Sequence, residues 1–388
     1  MTPYIHGYAL VCALGQGKDE VVSALANWQG AGVSALDNAR WTLTDGRTSP
    51  VGRVEGELPQ VPLARHASRN NQLLLAALSQ IEDEVQAAIE RVGAERVAVV
   101  LGTSTSGIGE AEVAVAACEA GQPLPAGFDY VQQELGAPSL FLAQYLNIAG
   151  PALTISTACS SSARAFITAR RLLLSHQADV VLVGGADSLC GLTLNGFDSL
   201  ESLSLSRCRP FTAERDGINI GEGAALFVLS REPSALALLG DGESSDAWHI
   251  SAPHPQGDGA ERAIRMALTR ANLSPDGVGY VNLHGTATRL NDEMESRAMA
   301  RVFAGQVPAS STKMLTGHTL GAAGAIEAAL SCLLLERQLP LPAQQSPLDP
   351  SLDALRLVTG EGPVSTIMSN SFAFGGNNVS LIFGKVNS

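Results

Sequence analysis

The chain has 388 residues, of which 45% are hydrophobic and 16% are charged, and its formal net charge is −13 at pH 7. This apolar content excludes a disordered chain, and the negative charge argues against nucleic acid or an anionic membrane as a general partner. The sequence shows no basic segment followed by an apolar core at its start, and no apolar run of roughly 18 residues. We therefore expect a globular protein without a signal peptide or a membrane-spanning segment.

Six cysteines are spread along the chain, at positions 12, 118, 159, 190, 208 and 332. They form no C-x-x-C pair, which disfavours both a zinc site and a disulfide framework. We predict that no metal is bound. Because free thiols persist in a reducing environment, we expect the protein to be cytoplasmic.

The first half of the chain has the alternating pattern of an α/β protein. We predict strands over 5–13, 96–101, 152–155 and 178–184, helices over 18–28, 63–89, 108–118 and 139–146, and irregular structure over 37–62. The strand at 178–184 is apolar throughout, which is typical of a sheet covered on both faces. A further helix is predicted to begin directly after Cys159.

Cys159 therefore lies on a turn between a strand and a helix. The first backbone N–H groups of a helix have no internal partners and carry partial positive charge. A thiolate at such a position is stabilised, so we expect the pKa of Cys159 to fall and the thiol to act as a nucleophile. A buried structural cysteine would fit the same position, so neighbouring residues must decide.

The second half repeats the first in outline. We predict strands over 278–283, 308–311, 365–369 and 378–383, and helices over 259–271, 291–303 and 320–337. In each half a strand leads to a polar turn with a reactive residue, Cys159 or His318, and then to a helix of small residues. This indicates a duplication. His284 lies in a similar glycine-rich turn, and two such histidines far from the cysteine suggest convergence on one pocket.

Four segments together resemble the signatures of the β-ketoacyl-acyl-carrier-protein synthases: TACSS at 157–161, HGTAT at 284–288, KMLTGH at 313–318 and NSFAFGG at 370–376. They are most similar to the elongating Cys-His-His branch, shared by bacterial condensing enzymes and polyketide ketosynthases. The resemblance implies a thiolase-like duplicated α/β fold with five layers, α/β/α/β/α. Residues 1–232 would form the half with the nucleophilic cysteine, and 233–388 the half with both histidines.

The resemblance also implies a reaction, the decarboxylative Claisen condensation of an acyl thioester with malonyl acyl carrier protein. Cys159 would hold the acyl group, and His284 and His318 would stabilise the enolate. Lys313 and Glu327 would form a buried ion pair that orders the site. No cofactor is implied, because the substrates are carried on the phosphopantetheine of the carrier protein.

Other residues receive roles from the same resemblance. The backbone amides of Cys159 and Phe374 would form an oxyanion hole, Thr286 and Thr288 would bind the phosphopantetheine arm, and Phe372 and Phe374 would gate the acyl pocket. Asp292 and Glu295 match acidic positions near the site, although either could simply cap a helix. Arg65 and Arg69 match a carrier-protein docking site, although a charge cluster also fits a solvated helix end.

Two features differ from many fatty-acid members of the family. Arg164 replaces a histidine, and the segment 202–209 is short, which leaves a specialised polyene or polyketide pathway open. A homodimer is expected, with a heterodimer of two related chains as an option. Three other functions also remain open: a non-catalytic partner subunit, a thiol hydrolase that uses Cys159 with one histidine, and, ranked lower, an initiating synthase or thiolase.

Overall fold

A computed structural model describes residues 2–386 of the chain. Its strands are β1 (Tyr4–Cys12), β2 (Gly15–Gln16), β3 (Arg40–Thr42), β4 (Thr48–Pro50), β5 (Val97–Gly102), β6 (Ala152–Ile155), β7 (Val180–Asp187), β8 (Gly223–Ser230), β9 (Leu236–Ser245), β10 (Tyr280–Asn282), β11 (Pro308–Ser310), β12 (Arg356–Leu357), β13 (Thr366–Phe372) and β14 (Asn377–Lys385). Its helices are α1 (Lys18–Ala31), α2 (Arg69–Leu78), α3 (Glu82–Val92), α4 (Ile108–Glu119), α5 (Ala137–Tyr145), α6 (Ser161–Leu174), α7 (Gly191–Ser199), α8 (Asp258–Ala271), α9 (Arg289–Phe303), α10 (Lys313–Thr316) and α11 (Ala323–Arg337).

The strands form two similar sets that meet between β1 and β9. In the first set the spatial order is β1-β8-β7-β5-β6, and in the second it is β9-β14-β13-β10-β11-β12. In both sets the first three strands are antiparallel and the following neighbours are parallel. The repeated order and direction confirm the duplicated fold.

The helices form three layers around these strands. Helices α6 and α11 lie in the middle and contact strands of both sets. Helix α2 packs on the outer face of the first set, and α8 packs on the outer face of the second. The predicted five-layered arrangement is thus confirmed.

The middle layer requires small residues where its helices meet. A Cβ atom on Gly324 of α11 would lie only 2.7 Å from the backbone nitrogen of Ala163 in α6. Because backbone this close leaves no room for a side chain, the small-residue segments noted in both halves are the contact between the central helices. Both helices begin immediately after a reactive turn, so this contact brings the two turns together.

Several predicted elements have different limits in the structure. The helix predicted over 63–89 is a short 3-10 turn, Ala64–His66, followed by α2 and α3. The hydroxyl of Ser68 caps α2 by accepting the N–H of Asn71, which starts a new helix there. The segment 37–62 includes the β3–β4 hairpin, and neither α7 nor β9 was predicted because glycine and polar residues interrupt their apolar patterns.

None of the helices within residues 2–386 combines the length and the apolar character needed to cross a membrane. All six cysteines are free thiols, and only Cys118 is exposed.

Candidate active site

The turn that carries Cys159 joins β6 to α6. Ala158 has a φ of 50°, a left-handed conformation that is rare for a residue with a side chain. The hydroxyl of Ser161 accepts the N–H of Thr157 and donates to the carbonyl of Ala158, and these bonds hold the turn. The turn presents the buried Cys159 side chain to a cavity between the halves.

His318 and His284 face the same sulfur. His318 Nε2 lies 2.9 Å from Cys159 Sγ, and the two imidazole rings are 5.4 Å apart between centroids. The sulfur and one ligating nitrogen of each ring all lie within 4.8 Å of one another. The backbone of His318 is held by the first half, because its N–H donates to Asn219 and its carbonyl accepts the N–H of Gly221.

Two buried carboxylates brace the backbone around His284. Glu295 accepts the N–H groups of His284 and Gly285, both at 2.8 Å. Asp292 accepts the N–H of Phe211 at 2.7 Å. Burial raises the pKa of Glu295 to about 7 and that of Asp292 to about 6, although these N–H groups oppose the shift. Glu295 therefore holds the loop of His284, Asp292 ties the start of α9 to Phe211, and neither is placed only to solvate a helix end.

Lys313 and Glu327 form a buried ion pair between α10 and α11. Lys313 Nζ lies 2.5 Å from Glu327 Oε1, and the two side chains are 2% and 3% exposed. Burial raises the pKa of Glu327, and the charge of Lys313 opposes that shift. Because the pair is shielded from water, its field acts on the neighbouring site with little screening.

The electrostatics of Cys159 differ from the sequence-based expectation. Burial raises the pKa of the thiol to about 11, while the charge of Lys313 and the backbone N–H groups of Phe374 and Cys159 itself lower it. The expectation of a low pKa was wrong because the loss of hydration outweighs these favourable groups. Burial and Lys313 also lower the pKa of His284 and His318 well below 6.5, so both rings are neutral at pH 7.

The cavity above Cys159 has a volume of about 290 Å³. Thr286, Thr288, Phe372 and Phe374 all line it, and the two threonine hydroxyl oxygens are 2.9 Å apart. Phe374 also packs on Phe197, with 5.6 Å between ring centroids. The lining residues that sequence reasoning missed include Phe197, Leu200, Ile218, Ser251 and Arg289. They come from loops, from α7 and its end, and from the start of α9, where no motif marked them.

The two arginines predicted to dock a carrier protein have different surroundings. Arg65 is exposed and remains a docking prediction. Arg69 instead makes two hydrogen bonds, of 2.8 and 2.5 Å, to the fully buried carboxylate of Glu222. The pair gives Arg69 a structural role, and its contact with a carrier protein stays a prediction. Arg164 is also engaged, with Glu243 at 2.9 Å.

Asp187 is a buried residue that sequence reasoning assigned only to the scaffold. Its carboxylate accepts the hydroxyls of Thr103 and Thr105 and the backbone N–H groups of Ser104, Thr105 and Ala322. It therefore ties the turn after β5 to the start of the segment that follows His318. The signal available in the sequence was an acid two positions after the Gly184-Gly185 pair of an apolar strand.

Comparisons with known proteins agree with this geometry. Residues 4–235 match the family described as beta-ketoacyl synthase, N-terminal domain, and residues 237–345 match beta-ketoacyl synthase, C-terminal domain. The 3-oxoacyl-[acyl-carrier-protein] synthase 2 of Synechocystis sp. is 33% identical over 345 residues, 83% of each chain. The protein of the same name from Rhizobium meliloti is 37% identical over 258 residues, 61% of each chain.

One solved structure is more similar still. It is described as the ketosynthase (ApeO) in complex with its chain length factor (ApeC) from Xenorhabdus doucetiae. The matched chain is 52% identical with a TM-score of 0.94, and the match covers 99% of this chain and 98% of that one.

Proposed function

Since the chain belongs to the β-ketoacyl synthase family, we propose that it elongates acyl chains by a decarboxylative Claisen condensation with malonyl acyl carrier protein. One observation carries this proposal. The thiol of Cys159 and the rings of His284 and His318 lie within 4.8 Å of one another in a buried cavity. A nucleophile and two neutral hydrogen-bond donors around one thioester are the groups that this reaction needs.

The first step transfers the acyl group to Cys159. His318 Nε2, 2.9 Å from the sulfur, accepts the thiol proton as the sulfur attacks the thioester carbonyl. The N–H groups of Cys159 and Phe374 then stabilise the tetrahedral oxyanion. The intermediate collapses to acyl-Cys159, and the pantetheine thiol leaves with the proton from His318.

The second step decarboxylates the malonyl group. After acyl transfer the neutral ring of His318 moves its proton to Nε2 by exchange with water. As carbon dioxide leaves, the electron pair forms an enolate whose oxygen accepts hydrogen bonds from the N–H groups of His284 and His318. The enolate carbon attacks the acyl carbonyl and the Cys159 sulfur leaves as a thiolate, which takes up one proton from water. The product is two carbons longer. Because burial, and then the charge of Lys313, keep both rings neutral, each ring donates an N–H group to the enolate oxygen without giving up a proton.

Neither step calls for a metal ion or a redox cofactor, and we propose that none is used. Thr286, Thr288, Phe372 and Phe374 line the cavity. In the proposed reaction the two threonines bond the pantetheine arm, and the two phenylalanines separate this arm from the acyl pocket. Lys313 acts on Cys159 and both histidines through its charge. This positive charge also disfavours a cation at the Cys-His-His cluster.

A second chain is part of the proposal. β6 ends the first set of strands, and in the described part of the chain its outer edge has no neighbour. Leu153 is 39% exposed there, and no residue of β6 is fully buried, unlike β5 and β7. An unpaired, apolar strand edge is a pairing surface. The ApeO–ApeC complex favours a related ketosynthase-like chain as the partner. The free thiols fit a cytoplasmic location.

Two other functions receive less support. A thiol hydrolase would use Cys159 and one histidine, and leaves His284 without a role. A non-catalytic partner subunit would not need the three reactive groups in one cavity.

The proposed function is tested by incubating the purified assembly with malonyl carrier protein and a panel of acyl carrier proteins. We expect acyl-Cys159 by mass spectrometry and a β-ketoacyl product. Acyl release without condensation would favour the hydrolase, and no acylation in any reaction would favour the non-catalytic subunit.

A further inference from the structure

Arg289 is the one arginine or lysine among the described side chains that line the cavity above Cys159. It is exposed, begins α9 and lies five positions after His284. Within residues 2–386 its guanidinium has no ion pair and no hydrogen-bond partner, whereas other arginines such as Arg69 and Arg164 are held by carboxylates. A free guanidinium at the rim of a substrate channel is available to an anion.

The remaining charges at the rim make this cation important. Glu201 and Asp216 line the same cavity, and both are exposed. Without Arg289, the charged side chains at the rim would be the carboxylates of Glu201 and Asp216, which would repel an anionic ligand. A guanidinium presents a planar fork of donors that matches the oxygens of a phosphate.

We propose that Arg289 binds the phosphodiester that joins the pantetheine arm to its carrier protein, and thereby positions the thioester at Cys159. The proposal rests on the proposed function, because that phosphate enters the cavity only with a carrier-borne substrate. Arg289 would be a positioning residue, since it contacts the substrate far from the reacting carbon.

The reach of the chain fits this assignment. The five residues from His284 to Arg289 would span about 17 Å if extended. Gly285 and Ala287 have φ of 38° and 64°, so the path is bent and shorter, and the exposed arginine side chain continues it toward solvent. Thr286 and Thr288 lie between the two ends and line the same cavity. An extended pantetheine arm can therefore pass from the histidines, along the threonine hydroxyls, to the guanidinium.

The malonyl carboxylate is the other anion that enters this cavity, and the geometry disfavours it as the partner of Arg289. That carboxylate sits at the thioester end of the arm, beside the buried rings of His284 and His318. Arg289 is at the exposed end. The phosphodiester is the anion that reaches the exposed end.

The test compares two small acyl donors that differ only in the phosphate, acyl-pantetheine and acyl-4′-phosphopantetheine. Both donors carry the acyl group that acylates Cys159 fastest in the panel of acyl carrier proteins described above. The rate of Cys159 acylation is followed by intact mass. Arg289→Met should slow acylation by the phosphorylated donor about tenfold, the lower end for hydrogen bonds to a charged group at an exposed position. Its rate with acyl-pantetheine should stay unchanged, and Arg289→Lys should keep part of the preference.

Arg262→Met is the matched control, because Arg262 is an exposed arginine on α8 outside the cavity lining. It should change neither rate. Equal losses with both donors in Arg289→Met would mean a structural role, and unchanged rates with both would mean no contact; either result overturns the proposal. A wild-type assembly that accepts acyl groups from neither donor would instead contradict the proposed acyl transfer, and the Arg289 contact with it.

Discussion

At the residue scale, Cys159 is subject to two opposing effects. Burial raises the pKa of its thiol to about 11, while Lys313 and two backbone N–H groups lower it. The thiol is therefore protonated at neutral pH in the free protein. Its reactivity depends on transferring its proton to His318 Nε2 during attack, and the 2.9 Å distance allows this transfer.

This balance predicts the pH dependence of alkylation at Cys159. Because the thiolate is the reactive form, the iodoacetamide rate should rise up to the highest pH at which the protein stays folded, without a plateau near pH 8.5. Lys313→Met removes a charge that lowers the thiol pKa, so it should slow alkylation at pH 9 by roughly tenfold, the effect of one pKa unit. A rate that reaches its plateau below pH 8 would contradict the buried, protonated thiol. Lys313→Met alone also leaves the carboxylate of Glu327 without its partner. The double variant Lys313→Met/Glu327→Gln removes the charge of that carboxylate as well, and is the control.

His318 should matter for both chemical steps. In His318→Ala the enolate loses one of its two donors, and we expect release of carbon dioxide from malonyl carrier protein to fall by roughly 10²-fold. His284→Ala should have a comparable effect on this step. The measurement is the release of labelled carbon dioxide in the absence of an acyl donor. An unchanged rate in His318→Ala would mean that this ring does not face the thioester oxygen.

At the element scale, each reactive side chain is held by an element from another part of the chain. The short helix α10 is fixed to α11 by the ion pair of Lys313 with Glu327. The loop of His284 is fixed to α9 by Glu295, and the turn after β5 is fixed by Asp187. Buried charges in these roles make the site rigid, but they depend on their partners.

The ion pair predicts an asymmetry between single and double variants. Glu327→Ala leaves the ammonium of Lys313 buried and unpaired, and should reduce the free energy of unfolding by about 3–5 kcal/mol. Lys313→Met/Glu327→Leu replaces both charges with apolar groups and should recover most of that loss. Urea denaturation of the three proteins measures this. A double variant as unstable as Glu327→Ala would show that packing, and not the unpaired charge, determines the cost.

The sequence predicted these elements unevenly. Periodicity and glycine-rich turns located β6, α6, β10 and α11 to within a few residues, and three of the four motifs contain Cys159, His284, His318 and Lys313. The pKa of Cys159 could not be read from a motif, because it depends on burial between two halves that are distant in sequence. The ion pair of Arg69 could not be read from a motif for the same reason, since Glu222 lies 153 positions away.

At the scale of the whole molecule, the duplication creates the site. Two halves with the same strand order place their central helices in contact, and each contributes one reactive turn. The cysteine comes from the first half and both histidines come from the second. Neither half alone contains the nucleophile and the enolate-stabilising groups together.

The open edge of β6 makes assembly part of this picture. Leu153→Lys places a charge on the exposed edge without disturbing a buried contact. We expect it to weaken association with the second chain, as measured by light scattering, and to lower acylation of Cys159, because β6 leads directly to that residue. Leu174→Lys, a similarly exposed leucine at the end of α6, is the control and should leave association unchanged. If Leu153→Lys and Leu174→Lys associated equally well with the second chain, the partner would bind a surface other than the edge of β6.

The central claim is that Cys159, His284 and His318 act on one thioester. It is tested most directly in a single turnover, with the protein first acylated on Cys159 and then mixed with malonyl carrier protein labelled in its free carboxyl group. We predict that one labelled carbon dioxide is released for each acyl group that leaves Cys159, and that the carrier protein gains the mass of the acyl group less that of carbon dioxide. Release of carbon dioxide while the acyl group stays on Cys159, or its loss as free acid, would contradict the claim.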